Sequence, residues 1–376
     1  MILIDYSSIL HRKIFSSISQ LKLKPQDGKY ITSEFIQYTK YQILQELFQI
    51  STEFGPRFGE LVICLDNKSP EGYWRKDVLS SYKMGRSKDR KESNIEFSEV
   101  WPELNALTNC IQENLPWKCV EVHRAEADDI ILVLAEEFKK FNPDLDYSKP
   151  EVLIHSPDKD MIQVQFGTDA IKQYSALTNK YLTANSKADS LEKWLMEHVC
   201  LGDISDSVPK IVDGTEFSEN FINYLKENSV KDLEPLAFRN SMEIPAQDKI
   251  KLIQDYDIQY YNRAGAPQGK DVYKRSRLGP ALLTKAIAKH GSLDAYLDSN
   301  PLYRMNYERN KTLVLTEGIP EYIYNAVIMS YNEAKDDYNH TGLEEYLQEN
   351  NLSSLLLEVP HGITSKRGEI SVEDFW

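Results

Sequence analysis

Three short apolar runs, each closely followed by an aspartate, constrain the fold of this chain most. They are I-L-I before Asp5, L-V-I-C-L before Asp66 and V-L-I shortly before Asp158. Continuous β-branched runs of this length are typical of strands that are buried on both faces, as in a parallel sheet. In such sheets ligands bind beyond the carboxyl ends of the strands, and that is the edge where the three aspartates are expected.

Helical patterns alternate with the apolar runs. Strands that alternate with helices predict a doubly wound α/β domain over residues 1–205. We predict further elements, helices at 32–54, 97–115 and 124–138 and strands at 118–122 and 171–174.

The segment R-A-E-A-D-D-I, which begins at Arg124, places three carboxylates within four residues. In a helix, Glu126 and Asp129 would share a face, and Asp128 would lie about 100° away. Two interpretations are open for this segment alone. The acids are either a first helical turn favoured by the helix dipole or ligands that hold a cation.

Further acids follow in S-P-D-K-D and L-G-D-I-S-D-S-V-P, and they supply Asp160, Asp203 and Asp206. We therefore expect nine carboxylates near one edge. Clustered oxygens bind hard divalent cations such as Mg²⁺. Two ions about 4 Å apart would activate a water and stabilise an in-line displacement at phosphorus.

The seven histidines are not at zinc-ligand spacing, and the chain lacks a nucleophile elbow, a P-loop and a dinucleotide fingerprint.

The charge distribution indicates where an anionic partner could bind. The net charge of −14 argues against nucleic acid for the chain as a whole. However, residues 68–91 carry eight Lys or Arg against three acids, and residues 270–289 carry six against one.

No apolar stretch is long enough to span a membrane, and the beginning of the chain lacks the pattern of a secretory signal. The four cysteines are widely spaced. We expect a cytoplasmic protein without a membrane partner.

A further helix is predicted from L-G-P at 278–280 to Gly291. It follows a segment of weak periodicity at about 213–276. Proline at the first helical position and glycine after the last one are typical helix boundaries. A helix N-terminus entered by a tight turn presents N–H groups to phosphate without reading bases. A capped surface helix and a duplex-binding helix are both open at this point.

Together, these motifs resemble the 5′ nuclease (flap endonuclease) family, and their pattern is most similar to its T-even phage ribonuclease H branch. The matching segments occur in family order and read L-I-D-Y-S, C-L-D-N-K-S-P-E-G-Y-W-R-K-D, R-A-E-A-D-D-I, S-P-D-K-D and L-G-D-I-S-D-S-V-P. They cover residues 1–212 and resume at 277–297. The resemblance implies a PIN-like parallel twisted sheet flanked by helices, with a helical arch at 68–95 and a helix-three-turn-helix element.

The resemblance also implies residue roles. One metal site would use Asp5, Asp66, Glu126, Asp128 and Asp158, and the second would use Asp129, Asp160, Asp203 and Asp206. Lys83 and Arg86 would contact the scissile phosphate. DNA binding would involve Tyr82, Lys88, Lys274, Arg275, Arg277, Gly279 and Lys285. Trp74 and Tyr73 would either stack on bases or pack internally. The cofactor would be two Mg²⁺ ions, for which Mn²⁺ could substitute.

Two departures from the family pattern affect the duplex-binding element. Lys210 stands where the family has a glycine, and about 65 residues separate Pro209 from Leu278. The segment before Pro280 also lacks the first glycine of the family's G-h-G motif. The missing glycine puts the monovalent ion that the family often holds there in doubt.

The last residues predict a separate binding peptide or a tail that folds back on its own domain. A polar, basic segment at 365–367 leads to the apolar residues Ile370, Val372, Phe375 and Trp376. This resembles the C-terminal peptides by which phage replication proteins bind a sliding clamp.

The sequence predicts a divalent-metal-dependent 5′ to 3′ exonuclease and 5′-flap endonuclease that removes RNA primers during DNA replication. Expected partners are duplex DNA and RNA·DNA hybrids with 5′ ends or flaps, a sliding clamp and a single-stranded-DNA-binding protein. The alternatives are a PIN-like endoribonuclease and a non-catalytic branched-DNA-binding or clamp-adaptor protein. The predicted domains are a nuclease domain (1–205), a duplex-binding region (206–300), a C-terminal helical region (301–364) and a tail (365–376).

Overall fold

A mostly parallel sheet carries the aspartates that follow the apolar runs. The computed structural model describes residues 1–22, 33–79, 82–83, 95–141, 151–183, 191–203, 205–213 and 278–360. Within these ranges, six strands form one sheet in the order β3-β2-β1-β4-β5-β6. The strands are β1 Ile2–Asp5, β2 Leu61–Leu65, β3 Lys118–Glu121, β4 Val152–His155, β5 Ile171–Ser175 and β6 Lys180–Leu182. Strands β1 to β5 pair in parallel, and β6 pairs antiparallel to β5.

The central strands are buried along their whole length. Every residue of β1, β2 and β4 is buried, as expected for strands covered on both faces. The predicted positions of strands β1 to β5 are therefore confirmed to within one or two residues. The antiparallel strand β6 was not predicted, because its three residues are all at least partly exposed and present no buried run.

Helices connect the strands and continue after the sheet. In chain order they are α1 Tyr6–Gln20, α2 Ser33–Phe58, α3 Arg75–Val78, α4 Phe97–Asn114, α5 Ala127–Phe141, α6 Leu191–Leu201, α7 Pro280–His290, α8 Leu293–Asp298, α9 Pro301–Val314, α10 Glu321–Glu333 and α11 His340–Glu349. Short 3-10 helices span Lys159–Gln165, Thr316–Gly318 and Ser353–Leu357. The sheet and its flanking helices confirm the predicted α/β class.

The chain divides into two compact units. The first comprises residues 1–68, 94–186 and 320–376, and the second comprises 69–93 and 187–319. Helices α10 and α11 therefore belong to the unit that contains the sheet, and α7 to α9 belong to the other. The predicted segment 301–364 is thus shared between the two units. The boundaries drawn from the sequence at 205, 300 and 364 stay predictions.

The C-terminal helices of the first unit pack against α5, β3 and α4. The Lys118 ammonium donates to the carbonyls of Tyr331 and Ala334 at the end of α10, at 3.1 and 3.5 Å. Cations are favourable at this end of a helix, because its last carbonyls lack helical partners. The Asn339 N–H donates to the Asn114 carbonyl at 3.0 Å, which joins the beginning of α11 to the end of α4.

The second unit is held together by α9. The side-chain amide of Asn310 donates to the carbonyls of Val199 and Pro209, at 2.9 and 2.8 Å. Asn306 donates in the same way to Ile211 and Asp213. Both asparagines are fully buried, so these bonds satisfy amides that would otherwise be costly to bury. They fix the segment that follows α6.

Several predicted features lie outside the described residues. They are the insertion from residue 214 to 276, residues 80–81 and 84–94 of the arch region, and the tail from residue 361. None of the described helices is both long and apolar enough to cross a membrane.

Candidate active site

The carboxyl ends of β1, β2 and β4 meet at one edge of the sheet and carry the predicted aspartates. Asp5 is the last residue of β1 and is paired in register with Cys64, near the end of β2. Asp66 follows β2 directly, and Asp158 follows β4 by three residues. Since these strands are parallel, their ends necessarily lie on the same side of the sheet. The structure therefore brings these three aspartates to one edge.

Asp5 is fixed by bonds to two other elements. Its Oδ1 accepts from the Ser8 N–H at 2.9 Å, so Asp5 is the N-cap of α1. Its Oδ2 accepts from the Ser156 hydroxyl at 2.9 Å, in the loop after β4. Asp5 is 8% exposed. The carboxylate thus joins β1 to the loop that carries Asp158.

Asp66 contacts the N-terminus of α5, where the acidic cluster lies. Its Oδ1 accepts from the backbone N–H of Ala127 at 2.7 Å. The Asp129 side chain accepts from the Glu126 N–H at 2.9 Å, like the reciprocal bond of a capping box. The first N–H groups of a helix lack helical partners and carry positive potential, so both carboxylates stabilise the beginning of α5. A carboxylate accepts several bonds at once, and capping is therefore compatible with cation binding.

The three acids of the cluster differ in burial. Glu126 and Asp129 are 2% and 0% exposed, and Asp128 is partly exposed. Among the three acids, Asp128 therefore has the most access to solvent. Burial raises the pKa of the Cys64 thiol, and the nearby carboxylates of Asp5 and Asp128 raise it further.

The turn that leads into this helix is held by Asn67, the residue after Asp66. The Asn67 N–H donates to the Ala125 carbonyl at 3.1 Å, and its Oδ1 accepts from the Arg124 N–H at 3.0 Å. Arg124 has a φ of 62°, a left-handed conformation that costs energy for a residue with a side chain. The two bonds stabilise this turn and so fix the position of Glu126.

The loop after β4 carries the remaining acids of the first unit. The Asp158 side chain accepts from the Asp160 N–H at 2.9 Å and begins the 3-10 helix Lys159–Gln165. The Asp158 N–H donates to the Ser156 hydroxyl at 3.1 Å. Ser156 therefore bonds both Asp5 and Asp158. Nothing in the sequence singled Ser156 out, because a serine beside an aspartate is ordinary turn chemistry.

Seven of the nine predicted ligands thus belong to the first unit and are placed at the carboxyl edge of the sheet or in the segments that leave it. They are Asp5, Asp66, Glu126, Asp128, Asp129, Asp158 and Asp160. All of them offer carboxylate oxygens, the ligands that hard divalent cations prefer. The donor set fits Mg²⁺ or Mn²⁺ and does not fit a zinc site made of thiolates.

The other two predicted ligands belong to the second unit. Asp203 pairs with Val208 through two backbone bonds of 3.0 and 2.7 Å, and its side chain accepts from the Ser205 N–H at 2.7 Å. The Asp206 carboxylate accepts from the Tyr82 hydroxyl at 3.1 Å and lies 3.6 Å from the Lys83 ammonium. Asp203 is therefore held by Val208 and Ser205, and Asp206 is held by Tyr82 and Lys83.

Lys83 is held in place within this second unit. Its N–H donates to the Asp206 carbonyl at 2.8 Å, and its ammonium lies 5.9 Å from the Tyr73 ring and 5.2 Å from the Tyr82 ring. Lys83 has a φ of 55°, so its backbone is strained. Tyr82 is 4% exposed and Trp74 is 2% exposed. Trp74 therefore packs internally.

Part of the predicted duplex-binding surface is described. Gly279 is the N-cap of α7 and precedes Pro280, as predicted, and Lys285 is exposed on that helix. The Lys210 ammonium donates to the Leu278 carbonyl, just before this N-terminus. The other predicted contacts lie outside the described residues, namely Arg86, Lys88, Lys274, Arg275, Arg277, Ile370, Val372, Phe375 and Trp376.

Comparison with known proteins gives consistent matches. Residues 1–194 match the family model described as 5′-3′ exonuclease, N-terminal resolvase-like domain. The ribonuclease H of Enterobacteria phage T4 is 29% identical over 206 residues, which are 55% of this chain and 62% of that protein. The chain thus spans less than two thirds of the length of this relative.

Solved structures from phage T5 are also similar. A crystal structure of the T5 D15 protein co-crystallized with metal ions has a TM-score of 0.46 and 12% identity, covering 96% of this chain and 99% of that one. A T5 D15 flap endonuclease in a pseudo-enzyme-product complex with DNA and metal ions has a TM-score of 0.44 and 13% identity, covering 93% and 98%.

Proposed function

The chain belongs to the 5′-3′ exonuclease family, and from this premise we propose that it is a metal-dependent nuclease that hydrolyses phosphodiesters at the 5′ ends and 5′ flaps of DNA and RNA·DNA duplexes. The observation that carries the proposal is the Asp66 to Ala127 bond of 2.7 Å, which joins the strand-end aspartates to the acidic N-terminus of α5. Removal of RNA primers during DNA replication is the process that we assign to it.

The carboxylates would hold two Mg²⁺ ions. Asp5, Asp66, Glu126, Asp128 and Asp158 would serve one ion, and Asp129, Asp160, Asp203 and Asp206 would serve the other. When bound, such ions supply a Lewis acid for the phosphodiester and lower the pKa of a water that acts as nucleophile. The hydrogen bonds from Ser8, Ser156 and Ala127 preorganise the carboxylates. Preorganised ligands need little rearrangement during the reaction.

Cationic side chains would bind the phosphate that is cleaved. We assign this role to Lys83 and Arg86, which would neutralise charge that develops on the phosphate oxygens in the transition state. The bond of the Lys83 N–H to the Asp206 carbonyl and the rings of Tyr73 and Tyr82 fix the lysine. Hydrolysis would leave the 5′ phosphate on the released or recessed strand.

The duplex beyond the cut would be bound through its backbone. Gly279 and Lys285 would contribute from the N-terminal half of α7, together with Lys274, Arg275 and Arg277. Such contacts position a protein on DNA and carry no base specificity. Tyr82 and Lys88 are assigned to the DNA as well, although the buried Tyr82 ring would act mainly by supporting Lys83.

We also propose a sliding clamp and a single-stranded-DNA-binding protein as partners. The support for the clamp is the sequence of the tail, in which apolar residues at 370, 372, 375 and 376 follow a polar, basic segment. Deleting residues 370–376 should weaken clamp binding and leave cleavage of a free flap substrate unchanged. Unchanged clamp affinity would rule out this contact.

Product analysis tests the nuclease proposal. Purified protein is incubated in Mg²⁺ with a 5′-flap duplex, a nicked duplex, an RNA·DNA hybrid and a single-stranded RNA. The expected result is cleavage of the first three from the 5′ end and little cleavage of the RNA. Preferential RNA cleavage would instead identify a PIN-like endoribonuclease. Asp158→Ala is the control, and equal cleavage by this variant would contradict the assigned site.

A further inference from the structure

A fully buried glutamine holds the loop that carries two of the proposed ligands. Gln173 lies in β5, in register with Ile154 of β4, and has 0% exposure. Its side-chain nitrogen donates to the Ser156 carbonyl at 2.9 Å and to the Asp158 carbonyl at 2.6 Å. Both hydrogens of one amide are therefore used on a single loop.

A second glutamine fixes the orientation of the first. Gln165 is 9% exposed, and its side-chain nitrogen donates to Oε1 of Gln173 at 3.1 Å. The Gln173 oxygen therefore faces Gln165, and the Gln173 nitrogen faces the loop. A third glutamine, Gln163, donates to the Asp160 carbonyl at 2.9 Å. The main chain from 156 to 160 is thus bonded by glutamine side chains at three carbonyls.

The position of this main chain determines where two carboxylates lie. The Ser156 hydroxyl donates to Oδ2 of Asp5 and accepts from the Asp158 N–H, at 2.9 and 3.1 Å. If the Ser156 carbonyl moved, the hydroxyl could not keep both bonds. Gln173 therefore acts on Asp5 through Ser156, and on Asp158 both through Ser156 and through the Asp158 carbonyl.

We propose that Gln173, oriented by Gln165, is a positioning residue of the metal centre that sets the separation of the Asp5 and Asp158 carboxylates. The inference rests on the proposed metal-dependent function. Residues that orient the ligands of a metal through hydrogen bonds typically change its affinity by about 10- to 100-fold when they are replaced.

The chemistry of the amide explains why a glutamine is needed at this position. Methionine has a similar length and fills similar space but donates no hydrogen bond. Glutamate has the same shape, but it donates no hydrogen bond when ionised and only one when protonated, so it cannot satisfy both carbonyls. Gln173→Met and Gln173→Glu should therefore both release the loop, for different reasons.

The test is a calorimetric titration with Mn²⁺ in the absence of nucleic acid. Gln173→Met is expected to raise the Mn²⁺ dissociation constant about tenfold or more. Gln165→Leu, which removes only the orienting bond, should raise it less, and it provides a second variant should Gln173→Met fail to fold. An unchanged dissociation constant in both variants would overturn the proposal.

Two controls separate positioning from general loss of stability. Ile171→Val removes one buried methylene from the same strand and should lower stability without changing Mn²⁺ affinity. Lys172→Met changes a partly exposed residue next to Gln173 and should alter neither. If Ile171→Val weakens Mn²⁺ binding as much as Gln173→Met does, the positioning role is wrong. If the wild-type protein binds Mn²⁺ but cleaves no 5′-ended duplex, the proposed nuclease function is wrong. The role of Gln173 is still tested in that case, because it depends only on the Mn²⁺ dissociation constants of the variants relative to that of the wild type.

Discussion

Asp66 and Ala127 belong to different segments of the chain, yet the Asp66 carboxylate accepts the first backbone N–H of α5 at 2.7 Å. The same side chain thus stabilises a helix and offers an oxygen ligand at the candidate metal centre. These two roles can be separated, because cation binding needs the negative charge, whereas the hydrogen bond to the helix needs only an oxygen acceptor.

We predict that Asp66→Asn abolishes cleavage but preserves stability. Asparagine keeps an oxygen for the Ala127 N–H and loses the charge that attracts a cation. Asp66→Ala should lose activity equally and also about 1 kcal/mol of stability, because the helix N-terminus loses its acceptor. Cleavage of a 5′-flap duplex and urea denaturation measure the two effects. Equal stability of the two variants would show that the capping bond contributes nothing.

We predict that Lys83→Met lowers the cleavage rate about 100-fold while substrate binding changes little. The reason is that a cation on the scissile phosphate acts mainly in the transition state. Methionine preserves the packing of the lysine stem near Tyr73 and Tyr82. Single-turnover kinetics and DNA affinity give the measurement.

The matched control for Lys83 is Lys311→Met, which removes the ion pair between a partly exposed lysine and the exposed Glu317 in the same unit. Exposed pairs contribute little, so this variant should cleave at the wild-type rate. If both variants lose activity equally, Lys83 has no special role in the reaction.

The strands and the acidic edge could be predicted from the sequence because their signals are local. An apolar run ending in aspartate indicates both a buried strand and its position at the sheet edge. Helix α1 was not predicted although its buried residues Tyr6, Ile9, Leu10 and Ile14 have helical spacing, because serines and basic residues interrupt the pattern. Its N-cap, Asp5, was read only as a ligand.

Nonlocal bonds could not be predicted in this way. The contacts of Asp66 with Ala127 and of Gln173 with Ser156 join residues 61 and 17 positions apart, and no spacing in the sequence indicates them. Tyr82 illustrates the same problem. Its motif suggested a DNA contact, whereas its burial depends on Val199, Val208 and Leu313, which are distant in sequence.

We predict that stability falls in mild acid because of His155. Burial lowers the pKa of this histidine to about 4 from an ordinary value of 6.5. The unfolded chain binds a proton at His155 more readily than the folded protein does. Protonation therefore costs no stability above about pH 6.5, and the free energy of unfolding decreases as the pH falls towards 4. The loss should reach about 2 kcal/mol at pH 5.

Urea denaturation at pH 7 and pH 5 tests this, with His155→Gln as the comparison. The variant has no titrating ring at this position, so its stability should fall by about 2 kcal/mol less than that of the wild type over the same interval. Parallel losses in the two proteins would assign the acid sensitivity to other groups.

The last prediction concerns Gly202, which precedes Asp203. Its φ is 63°, and a Cβ atom there would lie 2.4 Å from the Val208 carbonyl oxygen and 2.6 Å from that of Pro209. The Val208 carbonyl accepts from the Asp203 N–H, so Gly202→Ala would separate the two backbones that this bond joins. We expect a loss of about 2 to 4 kcal/mol, from overpacking and a left-handed conformation together.

Gly59→Ala isolates the conformational part of this cost. Gly59 has a φ of 90°, and nothing lies within 4 Å of a Cβ atom placed there. Its replacement should cost only about 1 kcal/mol and leave cleavage unchanged. Gly202→Ala should in addition reduce cleavage, because it displaces the loop that carries Asp203 and Asp206. Urea denaturation measures the stability of both variants. If Gly202→Ala is as stable as Gly59→Ala, the loop accommodates the added methyl group without cost. The positions of Asp203 and Asp206 would then not depend on the close approach at Gly202.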